Sequence, residues 1–537
     1  MPRDPAFIVK SDKKNRVLIL GAGVMQGPAL KIAREMGLET VAADADPSAP
    51  CVNLADIFEK VDLKDRDGIE KLAQNHAKDG LLGGIMTAGT DFSANVAWAA
   101  GKLGLSGISY DTALDASDKE RMRSRFKKEG VPSPEFIIMN EVPADDVKLP
   151  FPWPVVVKPV DNMGSRGCRR VDSVSELKPA VKDALHYSRS GRAIIEEYME
   201  GPEFSVDALV YKGEVTICGF ADRHIYFPPY FIEMGHTMPS NQADDVIESM
   251  LETFKAGIKA LGIDNGAAKG DIKLTAKGPM IGEIAARLSG GYMSGWTYPY
   301  ASGVLPTRGA LEIALGQKPC NLKPEWDWVC AERAFISIPG IVKSIHGIEK
   351  AEKMPWVKNV FLRIQPGSSV NFPENNVTKC GNIITAAADR AEAVDSAESA
   401  ARSILIHLEA NNSATDTFLA EFGSRFPPDA FAGGEGSGWD SALNSLPETT
   451  IPDNYSGIYI LPFPVFTESG LKDYVGRSID ECLKAARTLT GLELPFIKND
   501  EKPGNAVILG KSFWKAFIRG GYQAAVYYID SLQGRND

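Results

Sequence analysis

No Cys-x-x-Cys pair occurs in this sequence, and its seven cysteines, an odd number, are scattered from Cys51 to Cys482. That pattern argues against a disulfide framework and a structural zinc site, and predicts buried thiols in a reducing compartment. No apolar stretch approaches the ~18 residues that a membrane helix needs. The opening MPRDPAFIVKSDKKNR has neither an apolar signal core nor a small-residue cleavage site, so the expected location is the cytoplasm, with no membrane partner. An excess of positive charge is also lacking: 59 Lys and Arg stand against 70 Asp and Glu, a net charge of −11. Broad attraction to nucleic acid is therefore not expected, and any anionic ligand has to meet a local cluster of cations. Low-complexity tracts and internal repeats are missing as well. With 44% hydrophobic and 24% charged residues the composition is that of an ordinary globular protein. At roughly 150 residues per domain, 537 residues predict three or four domains.

What is present reads first as a βαβ unit. From Arg16, VLILGAGVMQGPALKIAREMGLETVAADAD gives an apolar run, a glycine turn, a helix-period stretch closed at Gly37, and a second apolar run ending in acids. GGIMTAG and the segment from Ser93 to Leu103 continue an open α/β sheet to about residue 110. Ser117 followed by Glu120 has capping-box spacing, which predicts a helix through Lys128 to a stop at Gly130. Strand signals follow in FIIMN, PVVVKPV and AIIEEYM. EFSVDALVYKGEVTICGF predicts a hairpin around Lys212-Gly213, and GDIKLTAKGPMIGEI a second one centred on Lys277. A helix is expected between Pro299 and about Gln317, strands in SIPGIVKSI and NVFLRIQ, and a helix from Arg390 to Glu409. Residues 411 to 450, which contain GGEGSGWDS, read as a loop or linker.

Several residues could carry chemistry. Val155 to Val157 suit a strand buried on both faces, and Pro159 biases Lys158 toward extended backbone, so Lys158 is a charge held in a fixed place. The next segment, Asp161 to Gly167, offers backbone N–H groups with Ser165, Arg166 and Gly167, the parts needed to wrap polyphosphate. In the second hairpin the register places Asp271 opposite Glu283, about 5 Å apart at Cβ. Two like charges so placed call for a cation between them, and a hard divalent ion bridged to phosphates answers that need. Arg287, Ser289 and Gly290 follow as a guanidinium and a backbone-donor loop suited to an oxyanion. Glu196, Glu197, Tyr198 and Met199 close an apolar strand whose backbone could read an adenine edge, and Glu203 could hold ribose hydroxyls. Arg223 suits a carboxylate, and His236 could exchange a proton. Each has a plainer reading too: a snorkelling lysine, an asymmetric loop whose acids are balanced in solvent by Lys269 or Lys273, a surface arginine, a structural histidine.

In order and spacing, over about residues 15 to 410, this set resembles the ATP-grasp superfamily, in the branch of carbamoyl-phosphate synthase, the purine-pathway ligases and the L-amino-acid ligases. The resemblance implies an α/β and α+β multidomain fold. A Rossmann-like pre-ATP-grasp domain is expected at 1–115, a two-lobed ATP-grasp domain at 116–320 with its lid at about 125–200, and a small α+β subdomain at 321–410. It also implies phosphate binding by Lys119 and Lys158, a flap at 162–167, an adenine hinge at Glu196 to Met199 and a ribose acid at Glu203. Magnesium, or manganese, is expected on Asp271 and Glu283, with Arg287 as the catalytic arginine. The implied reaction is ATP-dependent joining of a small carboxylate to an amine, or to a thiol, through an acyl phosphate, releasing ADP and phosphate. Two departures stand out: the first metal acid is Asp rather than Glu, and Ala285 stands where a neutral amide ligand is usual.

Two other readings compete. Gly21, Gly23 and Gly27 with Asp44 imitate a dinucleotide fingerprint, although as GxGxxxG, which would make the chain an NAD(P)-dependent oxidoreductase. Alternatively, an ATP-binding fold that has lost turnover would fit Ala285. Residues 411–537 lie outside the resemblance. The aromatic segment from Lys511 to Leu532, interrupted at Gly520-Gly521, is expected to pack on the main body, meet a second copy of the chain, or help line the acceptor pocket.

Overall fold

The computed structural model describes residues 15–144, 147–431, 439–463, 470–498 and 504–533. The leader reading of the first fourteen residues and most of the Gly-rich stretch at 433–441 thus lie outside the described residues. The described chain forms two compact units, one of residues 1–225, 235–331 and 386–393, the other of 226–234, 332–385 and 394–537.

The first unit opens with strands β1 (Arg16–Leu20), β2 (Glu39–Asp44), β3 (Ile57–Lys60) and β4 (Leu82–Thr87), parallel in the order β3-β2-β1-β4. Helix α1 (Gly27–Glu35) covers one face, and α2 (Arg66–Ala77) and α3 (Ser93–Lys102) cover the other. A parallel sheet needs this double cover, and β1 and β4 are accordingly buried at every position. Helix α4 (Tyr110–Ser117) leads into α5 (Lys119–Glu129). The expected capping box is not the one used. Asp118 caps α5 by accepting the Arg121 N–H at 3.1 Å, while the Ser117 hydroxyl donates back to the Ala113 carbonyl and closes α4. Gly130 ends α5 with φ of 69°, as its sequence position predicts.

A four-stranded antiparallel sheet follows, ordered β5-β8-β6-β7, from β5 (Phe136–Met139), β6 (Val155–Pro159), β7 (Arg169–Val171) and β8 (Ala193–Glu197). Helix α6 (Val174–Tyr187) packs on one face through Leu177, Val181 and Ala184. β6 is not buried on both faces as the valine run implied. Its burial alternates, Val155 and Val157 facing the core while Val156 and Lys158 lie on the other, half-buried face. The larger sheet is built from both expected hairpins. β9 (Glu203–Tyr211) and β10 (Glu214–Tyr226) turn at Lys212-Gly213, whose positive φ values of 51° and 81° suit a two-residue hairpin turn. After β11 (Ile232–Met238) and α7 (Asp244–Leu261) come β12 (Asn265–Thr275) and β13 (Gly278–Ala285), and the strands run β13-β12-β9-β10-β11. Met122 and Phe126 of α5 meet Phe254 and Ile258 of α7 over this sheet. The single helix expected between Pro299 and Gln317 is two, α8 (Tyr298–Ser302) and α9 (Pro306–Ala314), broken where Gly303 takes φ of 79° and Pro306 starts a new first turn. α9 returns to pack beside α1.

β14 (Val329–Phe335) and β18 (Gly381–Ala387), which lie mostly in the second unit, are neighbours, as are β18 and β16 (Val357–Leu362), and a small sheet of the second unit has β15 (Gly340–His346) between β17 (Ser369–Val370) and β19 (Leu405–Leu408). A short helix α10 (Ile348–Glu352) lies between β15 and β16. The helix expected over 390–409 stops early, as α11 (Arg390–Ser403), because Leu405–Leu408 pairs with β15 instead. The expected linker contains helices α12 (Ser413–Ala420), capped by Asn412, and α13 (Trp439–Ser445). β20 (Ile458–Ile460), α14 (Ile479–Thr490), β21 (Val507–Leu509) and α15 (Lys511–Gln533) complete this unit. α15 kinks at Gly520-Gly521 as its sequence implies, and buries Phe513, Trp514, Phe517 and Ile529 in a core shared with Phe431, Leu483 and Leu509 of the same unit. Its own chain supplies these packing partners. Among the described residues no helix is long and apolar enough to cross a membrane.

Candidate active site

The charged residues converge because three elements end or bulge at one place in the first unit. α5 begins with Lys119, β6 carries Lys158 near its end, and the β12–β13 hairpin carries the two acids. Asp271 does pair with Glu283, but by a different route from simple counting. The turn residues are Ala276 and Lys277, closed by the Thr275↔Gly278 pair, and that register alone would set Asp271 opposite Gly282. A bulge at Gly282 shifts the ladder by one residue and brings Glu283 into place.

Arg123 of α5 fixes that bulge. Its guanidinium is fully buried, donates through Nε to Glu196 Oε1 at 2.9 Å, and donates through a terminal nitrogen to the Gly282 carbonyl at 2.5 Å. Glu196 Oε2 receives Lys158 Nζ at 2.7 Å. Val156 pairs with Glu196 across the β6–β8 ladder, so Lys158, two positions along the same face, meets it diagonally. Burial works against the Glu196 carboxylate, but Arg123 and Lys158 outweigh it and hold its pKa below the usual range. The Glu196 side chain is thus structural glue between the two cations.

Lys119 is 5% exposed; its Nζ lies 3.0 Å from the Asn162 carbonyl at the root of the Gly-rich loop and 3.4 Å from Glu283 Oε1. Burial opposes the charge on Lys119, yet Glu283, Asp91 and Glu196 raise its pKa. Glu283 in turn is pushed up by burial and pulled down further by Lys119, Lys269, Lys158 and Arg287, to about 2. Asp271 is held low despite burial and the neighbouring Glu283, because Arg223 and Lys269 stand against it. Its Oδ1 accepts the Ser205 hydroxyl at 3.0 Å, and its Oδ2 meets Lys269 and lies 3.2 Å from Arg223. Lys269 therefore balances Asp271 inside the site rather than in solvent.

Other expected residues are placed as follows. In the 161–167 loop Gly164, Ser165 and Gly167 all take positive φ, and Arg166 donates to the Asn162 side chain at 3.2 Å. A Cβ on Gly167 would lie 2.9 Å from the Tyr187 ring, so close packing as well as its turn demands glycine there. Glu203 pairs with Arg223 and, at 3.6 Å, with Lys273, which also donates to the Met199 carbonyl and lies 5.2 Å from the Tyr198 ring centre. Arg223 is thereby drawn to the acids. Glu197 is tied to the exposed Lys277 at 2.5 Å. Arg287 donates to the Leu288 carbonyl at 3.0 Å. Ser289 donates to Asp207 Oδ2 at 2.5 Å, as does Ser294, and Leu288 bridges to Ala88, which brings Gly290 beside Gly89 at the carboxyl end of the parallel sheet. That is the edge where open α/β sheets bind ligands. His236 is 1% exposed on β11, part of that strand's buried face.

The glycine fingerprint is occupied by its own chain. Gln26 Oε1 accepts the Gly23 N–H at 2.9 Å, the Gln26 side chain fills the space above Gly21, and Asp44 accepts the Ala22 N–H at 2.8 Å. The donors and the acid that a dinucleotide would need are already used within the turn.

Sequence reasoning missed Arg123 and Asp207. Arg123 had a signal, since it lies one helical turn after Lys119 on the same face. Asp207 had one as well, a carboxylate inside an otherwise apolar strand.

Residues 151–295 match the ATP-grasp domain family, and residues 334–409 match the L-amino acid ligase C-terminal domain 2. The L-arginine-specific L-amino acid ligase of Bacillus subtilis is 27% identical over 291 residues, 51% of this chain and 67% of that protein. Uncharacterized protein y4rH of Sinorhizobium fredii is 24% identical over 394 residues, 72% of this chain and 81% of that protein. Among solved structures, the L-amino acid ligase from Bacillus licheniformis superposes with a TM-score of 0.65 at 21% identity, over 74% of this chain and all of that one. Phosphoribosylglycinamide synthetase from Anaerococcus prevotii does so with 0.58 at 26% identity, also over 74% of this chain and all of that one.

Proposed function

We propose that this chain, an ATP-grasp ligase with an L-amino acid ligase C-terminal domain, joins a small carboxylate to an amine through an acyl phosphate, with ADP and phosphate as co-products. The observation that carries this reading is the meeting of Lys119, Lys158, Asp271 and Glu283 in one cluster, with Lys119 and Asp271 buried and Lys158 and Glu283 partly exposed. Phosphoryl transfer asks little covalent chemistry of a protein and much placement and charge neutralisation, which is what this cluster offers. Lys119 and Lys158 would meet the phosphates, the 162–167 loop would cover them and exclude water, and the 196–199 segment would receive the base. Arg287, Ser289 and Gly290 would face the carboxyl group being activated, with Asp207 holding the loop that presents them.

The donor chemistry fits Mg2+ or Mn2+. Glu283 is an ionised oxygen donor with a third of its side chain exposed, opposite Asp271. Glu283, with Asp271 opposite it, would hold such an ion, whose positive charge would offset that of the phosphates. Arg223 and His236 remain candidates for substrate recognition, Arg223 through its position beside the acids. Free thiols at all seven cysteines support a reducing, cytoplasmic setting.

The test is a screen of amino acids and small carboxylates, alone and in pairs, reading ADP and phosphate release with mass detection of the product. ADP release that requires a particular pair, with a condensation product, is expected. Tight ATP binding without product across the screen, or NAD(P) binding without ATP affinity, would reject the ligase reading.

A further inference from the structure

The two acids of the hairpin are not equivalent. Glu283 has a third of its side chain exposed, and Lys119 Nζ lies 3.4 Å from its Oε1, beyond a close hydrogen bond. Asp271 has a tenth of its side chain exposed and both oxygens engaged, Oδ1 by the Ser205 hydroxyl at 3.0 Å and Oδ2 by the Lys269 ammonium and the Arg223 guanidinium. Lys269 reaches it from the same face of β12, two residues away. The cross-strand partner of Lys269 is Ala285, two residues beyond Glu283, which brings a methyl group and no oxygen. At the position where a third protein donor could stand, the ladder instead supplies a cation from the opposite strand.

A small hard dication needs near-octahedral oxygen coordination, about 2.0–2.1 Å per ligand for Mg2+. Among the described residues no group of three or more metal-ligating side chains exists. One ion can complete its shell from Glu283, phosphate oxygens and water. A second would have to displace Lys269 and Arg223 from Asp271, taking a carboxylate contact from two largely buried cations, of which Arg223 keeps Glu203. Both are about nine-tenths buried, so that displacement is unfavourable.

We propose that this site takes a single divalent cation with its nucleotide, on Glu283, and that Lys269 and Arg223 supply at Asp271 the positive charge a second ion would bring. The proposal rests on the ligase reading above and narrows it. Lys119, Lys158, Lys269, Arg223 and Arg287 are five cations set around Asp271 and Glu283, and with Glu196 on Lys158 and Glu203 on Arg223 they still outnumber these four carboxylates, so part of the triphosphate's charge is met by fixed side chains before an ion binds. The nucleotide then enters as its ordinary one-metal complex.

The experiment counts manganese on the full chain. The protein is saturated with a non-hydrolysable ATP analogue and titrated with Mn2+, free ion being read by electron paramagnetic resonance and bound analogue by equilibrium dialysis. One Mn2+ per bound analogue at saturation is expected, and two would overturn the proposal while leaving the ligase reading intact. Absence of analogue binding at every manganese concentration would overturn both. In Lys269→Met, which takes the ammonium off Asp271 Oδ2, leaves Arg223 at 3.2 Å and alters neither acid, the ratio should rise above one at high manganese. A folded Lys269→Met protein that binds the analogue and stays at one would reject Lys269 as the stand-in. Because the first count is made on the unaltered chain, a variant that fails to fold does not shield the proposal.

Discussion

Replacing Arg123 with Met tests the device that brings the two acids into register. The guanidinium is fully buried and touches Glu196 at 2.9 Å and the Gly282 carbonyl at 2.5 Å. Met keeps much of the volume and loses both contacts. Breaking a buried ion pair from one side costs about 3–5 kcal/mol. Glu196 still has Lys158 at 2.7 Å, so the lower end of that range is the expected loss, about 3 kcal/mol. The second consequence is local. With the Gly282 carbonyl released, the bulge can relax to the register that the Ala276-Lys277 turn dictates, and Asp271 then faces Gly282 while Glu283 swings to the opposite face. Arg123→Met should therefore lose about tenfold or more in affinity for the metal–nucleotide complex, equivalent to at least about 1.4 kcal/mol. Urea unfolding followed by intrinsic fluorescence reads the first effect and calorimetric titration with Mn2+ and an ATP analogue the second. Arg121→Met on the same helix is the control. Arg121 is 42% exposed and shares Asp115 with Arg125, so its loss should cost under about 1 kcal/mol and leave affinity unchanged. If Arg123→Met matched Arg121→Met in both readouts, the idea that Arg123 holds the bulge would be wrong.

Lys158→Ala should lower pair-dependent ADP release by about 100-fold or more while circular dichroism stays unchanged, since a charge aimed at the reacting phosphates is lost; turnover within a few-fold of the unaltered enzyme would refute the role. Glu283, with its pKa depressed to about 2, is ionised well below the ordinary carboxylate range. Its contribution to stability is complete above the unfolded value of about 4.3 and is lost as pH falls through about 2, so Mn2+ affinity should show no Glu283 inflection between about pH 5 and about pH 8. An inflection near pH 6 that disappears in Glu283→Gln would contradict this. Gly521, at φ of 61° and ψ of −145°, occupies backbone space that other residues avoid, so Gly521→Ala should destabilise the second unit by about 1–3 kcal/mol. A thermal scan showing no shift would count against it.

The parts of this molecule that were legible beforehand are those where one local rule decides. The parallel strands around Arg16 to Asp44, the Lys212-Gly213 turn and the break at Gly520-Gly521 each follow from period or from glycine, and each stands where expected. A turn centred on Lys277 pairs Asp271 with Glu283, as the structure does, but the actual turn is one half-step away and a bulge makes up the difference. Composition does not announce a bulge, because its cause, Arg123, arrives from a helix 159 residues earlier in the chain. The same reason hid the end of α11: propensity alone carries a helix through Ile404, and only pairing with β15 turns Leu405–Leu408 into a strand. Ser117 and Asp118 compete for one cap, and Asp118 wins because Ser117 is spent on the Ala113 carbonyl. Within the site, residue types were readable and partners were not. Glu196 and Glu203 looked free to meet a nucleotide, yet their carboxylates are bound to Lys158 and Arg123, and to Arg223 and Lys273.

In the proposed reaction a substrate carboxylate attacks the terminal phosphate of ATP before the amine enters. A carboxylate substrate found in the pairwise screen, labelled with heavy oxygen in its carboxyl group, tests it directly by mass analysis of the phosphate released during turnover. One labelled oxygen carried into phosphate for each product formed is the predicted result. Phosphate free of label, alongside normal product, would mean that the carboxyl group is never phosphorylated and would contradict the account.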